Sequence, residues 1–336
     1  MFKQLIGIAA LALIGATGYS LQQAQRAETA SAQATAAAAA AQRERDAALD
    51  EARRQETLRE HFVAVLNRAA ERATPIQPQE LLDLAADPNL LGAFGEPEMH
   101  VALQLALADL FAQRDDYTRA LSLLDQLAPV LATAPPRIRA KAATIQALGL
   151  LRVGRLDESA ANIELAETWM TPAQRAGGML LADIQMLRAQ LFRAQGDLAA
   201  SVVAARAAAD QAFRATDGSA LERGRLIGSG ATSLLLAGEL DGAIELTNRA
   251  ETVWSKAGVA INIASRVNAA NRANALFLRG DLADALAAFD AIDARTDSTE
   301  SPPARAARDL THAKLLALLG RGGEAVPRSE EHTSEL

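Results

Sequence analysis

The 336-residue sequence has no cysteine, which excludes disulfides, thiolate catalysis and zinc–thiolate sites and leaves the chain indifferent to an oxidising compartment. Aromatic residues are scarce, with two Trp, two Tyr and eight Phe, so any core must close on aliphatic side chains and alanine. No basic excess is present: the formal net charge is -7, and without a positive footprint for phosphate backbones no nucleic-acid partner is expected. The four histidines, His61, His100, His312 and His332, fall in no metal-ligand spacing such as HExxH. Gly228-Ser229-Gly230 lacks the GxSxG spacing of a nucleophile elbow, and there is no GxxxxGK[ST] phosphate loop. Asp115-Asp116 reads as turn chemistry. The expectation is a chain with no catalytic residues, no cofactor and no metal.

What the sequence does have is a repeated phrase. GRLDESAANIELA begins at Gly154, GDLAASVVAARAA at Gly196, GELDGAIELTNRA at Gly238 and GDLADALAAFDAI at Gly280, each glycine 42 residues after the last. A fixed period of this size marks a copied helix-turn-helix unit rather than one globular core, and length then counts units. In each unit an apolar-periodic helix runs into a Gly-polar-Leu turn. A second helix follows, with small residues where the two must touch: Ser159 and Ala166, Ser201 and Ala208, Ala243 and Ala250, and Ala285 with Ile292. Weaker copies flank these, with Asp115-Asp116-Tyr117 leading into Ala120 and Leu124, and Gly320 leading into Ala325.

Over residues 97 to 326 this pattern resembles the tetratricopeptide repeat. Its Gly-Asp-Tyr-x-x-Ala turn is matched by the phrases above, and its small residue ahead of the glycine by Ala147, Ala189, Ala231, Ala273 and Ala313. The period is 42 rather than 34, Leu mostly replaces the turn Tyr, and two turn Ala positions are Ser. The resemblance implies an all-α fold, a tetratricopeptide-like α-solenoid of about six repeats over 97–327, with the last incomplete.

Ahead of the repeats, residues 5–21 (LIGIAALALIGATGYSL) are uncharged and mostly apolar, and at about 1.5 Å per residue they rise roughly 25 Å, near the lower limit for a bilayer. Residues 1–21 therefore read as a signal anchor or transmembrane helix, with a cleaved secretory signal at Ala16-Thr17-Gly18 as the alternative. Lys3 places the amino end in the cytoplasm and the repeats in the periplasm of an inner-membrane protein. Residues 22–74 are rich in Ala, Gln, Glu and Arg and free of Pro and Gly, which predicts a helical stalk. Leu49, Leu58, Phe62, Val65 and Leu66 would seat it on the first repeat or on a second copy, giving a homodimer. Pro75 and Pro78 end the stalk, Glu80 to Ala86 form a short helix within a connecting segment over 75–96, and Pro97 opens the first long repeat helix.

The order of these features is similar to the region that follows the catalytic domain in a group of bacterial membrane-anchored serine/threonine protein kinases: membrane helix, Ala/Arg/Glu-rich stalk, Phe62 with Leu66, the Leu81 to Ala86 segment, then repeats. The kinase's own GxGxxG loop, HRD and DFG motifs are not in the sequence. The resemblance implies a sensory or docking half alone.

Within the repeats, Thr171-Pro172-Ala173-Gln174 reads as a capping box that starts the third unit. Asp217-Gly218-Ser219 and Ser301-Pro302-Pro303 mark inter-unit loops. Trp169, Phe213 and Trp254 fall 15, 17 and 16 residues after their turn glycines and are expected to plug each unit onto the next, an aromatic ligand edge being the alternative. In such a solenoid the first helix of each unit lines the concave surface. Counting back from the glycines places Lys141, Thr144, Asp183, Gln190, Arg193, Arg225, Thr232, Asn271 and Asn274 there. Asn262, Asn268, Asn271 and Asn274 crowd one helix although Asn forms helix poorly, so they would either read a peptide backbone or bond between helices.

The terminal RSEEHTSEL, residues 328–336, breaks the repeat and matches what one reading frame of a common sequencing adapter encodes; it is set aside, and the natural chain is expected to continue past Pro327. The functional expectation is a membrane-anchored scaffold that senses or binds a protein or peptide in its concave groove. The alternatives are the regulatory tail of a transmembrane serine/threonine kinase and a secreted periplasmic adaptor. Gln190, Arg193, Arg225, Thr232, Asn271 and Asn274 are the expected binding face.

Overall fold

The computed structural model describes residues 2–71, 77–92, 97–260, 262–293 and 302–324. Pro75, Ser301 and residues 325–336 therefore lie outside the described residues. The chain divides into two compact units, Met1–Leu103 and Gln104–Leu336, and among the described residues every regular element is a helix.

In the first unit, α1 (Phe2–Ala70) is one continuous helix of 69 residues, as the absence of helix breakers after Tyr19 predicts. Its carboxy-terminal part packs on two short helices, α2 (Pro78–Ala85) and α3 (Pro88–Gly92). Val65, Leu84, Ala85 and Leu91 are buried in that contact, and so is His61. The His61 Nε2–H donates to the Ala85 carbonyl at 2.9 Å, and burial pulls the imidazole pKa down despite that bond. Of the five apolar stalk residues, Val65 is buried and Leu58 half-buried, whereas Leu49, Phe62 and Leu66 are exposed.

The inner-membrane location is corrected here. No helix among the described residues is long and apolar enough to cross a membrane. The apolar run at 5–21 is part of α1, but its roughly 25 Å rise falls short of a hydrocarbon core of about 30 Å, and Thr17, Tyr19 and Ser20 dilute its end. The periplasmic placement of the repeats rested on that anchor and falls with it.

The second unit begins inside α4 (Pro97–Gln113) and continues through α5 (Tyr117–Leu131), α6 (Pro136–Arg152), α7 (Leu156–Trp169), the single turn α8 (Pro172–Ala176), α9 (Met179–Ala194), α10 (Leu198–Arg214), α11 (Ala220–Leu236), α12 (Leu240–Lys256), α13 (Ile263–Arg279), α14 (Leu282–Asp293) and α15 (Pro302–Leu318). Helices α7, α10, α12 and α14 each pack on their own first helix and on the first helix of the next unit, and α6, α9, α11, α13 and α15 also touch in succession. This nearest-neighbour stacking is that of a tetratricopeptide-like α-solenoid.

The turns explain the repeated glycine. Gly154, Gly196, Gly238, Gly280 and Gly320 have φ of 82°, 85°, 80°, 94° and 73°, and Asp115 takes the same place at 63°. A β-carbon at any of the five glycines would meet nothing within 4 Å, so the backbone angle, not space, selects glycine. The residue after each turn closes the helix end: Asp116, Arg155, Asp197, Glu239, Asp281 and Arg321 donate their amides to Phe111, Leu150, Phe192, Leu234, Leu276 and Leu316 carbonyls at 2.8–3.0 Å, the long bond of a Schellman motif.

The small residues sit where helices meet. Ala147, Ala189, Ala231 and Ala273 are fully buried, as are Ala243 and Ala285 opposite the later two. The two serines that depart from the pattern have a reason: Ser159 Oγ donates to the Ala147 carbonyl at 2.8 Å and Ser201 Oγ to the Ala189 carbonyl at 2.7 Å. Each serine hydroxyl thus bridges the two helices of one unit without widening their contact.

Two expectations change in detail. The Thr171–Gln174 capping box exists, but it starts only α8. The long first helix of that unit begins at Met179, after a Gly177-Gly178 break, and Met179 N–H donates to Asp217 Oδ1 at 3.0 Å. Among the three aligned aromatics, Trp254 is the buried plug, with Nε1–H donating to the Leu221 carbonyl at 3.4 Å. Trp169 lies 5.1 Å beneath the Arg139 guanidinium and Phe213 4.6 Å beneath that of Arg249, a packing role on a more exposed surface.

Candidate functional site

The inner face is set by one stripe on each first helix. In α6 it comprises Lys141, Thr144, Ile145, Leu148 and Arg152, in α9 Asp183, Met186, Leu187 and Gln190, and in α11 Glu222, Arg225, Leu226 and Ser229. The spacing of three and four residues keeps these side chains on one side of each helix. Together with Asp109, Gln113, Asp115 and Tyr117 they line a cavity of about 320 Å³.

Lys141, Asp183 and Arg225 stand 42 residues apart, so adjacent helices present cation, anion and cation at one register. Lys141 Nζ pairs with Asp109 Oδ2 at 2.9 Å. Burial lowers the Lys141 pKa, but the carboxylates of Asp109 and Asp183 outweigh it and the net shift is upward. Asp183 is different. Burial raises its pKa, Lys141 and Arg225 only partly offset this, and Asp109 and Glu222 add to the rise. Neither the Asp183 carboxylate nor the Arg225 guanidinium is in a direct ion pair or side-chain hydrogen bond with another described residue. At the rim, Arg152 Nη2–H donates to Gln190 Oε1 at 3.1 Å. Tyr117 O–H donates to Asp115 Oδ1, and burial, aided by that bond, pushes the Tyr117 pKa up to about 12.

Of the residues expected on this face, Lys141, Thr144, Asp183, Gln190 and Arg225 are brought together. Arg193 is half-buried beside this lining and not part of it; burial, then repulsion from Arg152, lowers its pKa. Thr232 and Asn271 lie further along and are bonded to each other, Asn271 Nδ2–H donating to Thr232 Oγ1 at 2.8 Å. Asn274 is half-buried, and its amide makes no hydrogen bond among the described residues. The other asparagines have structural roles: Asn262 caps α13 through the Ser265 amide at 2.9 Å, and Asn268 Nδ2–H holds the Thr247 carbonyl at 2.9 Å. Sequence reasoning missed Asp109, because its helix ends at Asp115 rather than at a glycine in register. It also missed Arg152 and Glu222, which the same counting could have found.

Among the described residues no group of three or more His, Asp or Glu is placed to hold a metal ion. The arrangement offers charged and hydrogen-bonding groups over an apolar floor, suited to binding.

The class this architecture defines is a tetratricopeptide-like helical-repeat scaffold. Among solved structures the chain is similar to a Rap protein complexed with Competence and Sporulation Factor, at 12% identity over 70% of this chain and 65% of that one, with a TM-score of 0.51. It is similar also to the apo form of RapI, at 12% identity over 83% and 75% of the two chains, with a TM-score of 0.53. A tetratricopeptide repeat protein from Parabacteroides merdae aligns at 12% identity over 83% and 93%, with a TM-score of 0.46. The chain spans just under two thirds of the Rap protein found in the complex, and at such identities the likeness is one of fold. No protein-family model and no curated protein matches the sequence.

Proposed function

We propose that this chain is a protein-interaction scaffold whose inner face, formed by α6, α9, α11 and α13, binds a segment of another protein. Gln190, Arg225, Thr232, Asn271 and Asn274 contribute, with Asp183 as the central polar anchor. The observation that carries this reading is Asp183. A carboxyl group held in a cavity at a solvation cost, without a direct hydrogen-bond or ion-pair partner, gains from an arriving cation or amide donor. Arg225 beside it is free to take a carbonyl or carboxylate. The Rap protein of similar fold that holds Competence and Sporulation Factor supports a ligand-binding use of such a scaffold.

The test is a selection of random 12-residue peptides displayed against the whole chain. Asp183→Asn combined with Arg225→Gln should weaken the selected peptides by tenfold or more, since each charged hydrogen bond contributes about 1.5–3 kcal/mol. Val203→Asn on α10, an exposed residue outside this cavity, should leave them unchanged. Equal binding to all variants would refute the proposal.

A further inference from the structure

The stripe that lines the cavity continues past it. Two residues before each turn glycine, Arg152 lines the cavity; the same position holds Ala194, then Leu236, Leu278 and Leu318. These three leucines are 59%, 61% and 64% exposed, far more than a core residue of a helical repeat needs. Val267, at the register of Lys141, Asp183 and Arg225, and Leu310 on α15 are exposed as well. Along the solenoid the inner face therefore changes from charged on α6, α9 and the start of α11 to aliphatic on the end of α11 and on α13 and α15.

The leucine row has a polar row beside it. One turn earlier on each helix stand Thr232, Asn274 and Lys314, about 6 Å away along the helix axis, continuing the line of Gln190 in the cavity. Beside the leucines Arg279 pairs with Asp241 at 2.5 Å and with Asp281, and Arg321 with Glu324, while Lys314 is exposed. Among the described residues Lys314 alone does not make the cationic cluster that an anionic lipid surface would need. The row is one side chain wide and interleaved with polar groups, which does not suit a copy-to-copy contact burying about 800 Å² on each partner.

We infer that Leu236, Leu278 and Leu318 seat the side chains of an extended partner segment bearing aliphatic residues at i, i+3 and i+6, with Thr232 and Asn274 holding its backbone. Touching helices lie about 8–10 Å apart. A polyproline-II chain rises about 3.1 Å per residue with three residues per turn, so every third side chain falls on one face about 9.3 Å from the last, in step with successive helices. An α-helical ligand would have to skip every other turn, placing residues i and i+7 about 10.5 Å apart, beyond the 8–10 Å spacing, and would drift further out of step at the third leucine. The inference rests on the inner-face reading above and adds the conformation and side-chain class of the ligand.

The experiment uses the same displayed 12-residue peptides selected on the whole chain. The selected sequences should carry aliphatic residues three apart. Leu278→Asn with Leu318→Asn should weaken them by tenfold or more, with unchanged thermal unfolding because both sites are exposed. A set that is weakened by Asp183→Asn but indifferent to the leucine variants, or that shows helical three-four spacing, overturns the leucine row and leaves the inner-face reading standing. A set indifferent to both groups of variants, or no enriched peptides at all, overturns both. If sedimentation instead shows a dimer that the leucine substitutions dissociate, the row is a contact between copies and the inference is wrong.

Discussion

The indole of Trp254 occupies the space where a side chain on Gly224 would begin: a β-carbon built there would lie 2.2 Å from Nε1. Gly224 is buried in α11 and Trp254 in α12, so the missing side chain of one admits the largest side chain of the other. Gly224→Ala pits two effects of opposite sign. Alanine in a helix interior is worth about 0.5–1 kcal/mol over glycine, whereas displacing a packed indole costs about 1–3 kcal/mol. The overlap wins, and urea unfolding should show a net loss; a gain would mean that the indole has another place to go.

The turn glycines should behave differently from glycines that merely sit in the chain. Gly238→Ala meets no atom but must hold φ near 80°, which costs about 1–2 kcal/mol. Gly322→Ala, with equal space and no positive φ, should be neutral or slightly stabilising. The difference between the two midpoints in denaturant measures the backbone term alone.

Ser201→Ala tests the helix bridge. Alanine occupies the same position as Ala243 and Ala285 in later units, so nothing clashes, but the bond to the Ala189 carbonyl is lost and about 0.5–1.5 kcal/mol of stability with it. Ser201→Val adds bulk as well as removing the bond and should cost more, because the helices touch closely there. Equal stability of Ser201→Ala and the parent chain would make the hydroxyl incidental.

Asp183 should trade stability for binding. Its folded pKa lies above the ordinary carboxylate value of 3.8, so the folded state holds that proton more tightly than the unfolded chain. Stability from this group is present in acid and falls as the pH rises through the carboxylate range, leaving its ionised form a net burden at neutrality. Asp183→Asn should therefore raise the melting temperature at pH 7, with the gain falling away as the pH drops toward the ordinary carboxylate value of 3.8 and absent below it, while peptide binding weakens. Melting curves across that range, paired with affinities, check both halves; a variant destabilised at pH 7 would contradict the burial cost.

The repeat was legible because glycine at positive φ leaves a fixed mark in the sequence, and the closest helix contacts leave another in Ala147, Ala189, Ala231 and Ala273. The unit built on Asp115 was harder to read, since an aspartate in the left-handed region gives no such mark. Counting back from the glycines found the charged half of the inner face because helical register carries over between copies. It passed over Leu236, Leu278 and Leu318, because an apolar residue at helical spacing is first assigned to a core and only solvent exposure distinguishes the two. Hydropathy alone suggested a membrane segment at residues 5–21, where length decides and the run is too short. The crowded asparagines of α13 had no single explanation in sequence: one caps, one grips α12, one reaches Thr232, and Asn274 is half-buried with no hydrogen bond to its amide among the described residues.

Asp217 belongs to the loop ahead of α11, yet it caps the start of α9 in the unit before. Those two units are thereby a matched pair rather than interchangeable beads. Cutting one 42-residue copy from this part of the array would bring a different loop to Met179 and leave the first turn of α9 without its acceptor. Beyond Gly238 the joints are made by helix side chains instead, Asn268 to the Thr247 carbonyl and Asn271 to Thr232, so a copy removed there takes a different set of bonds with it and the array is keyed at each joint by different residues.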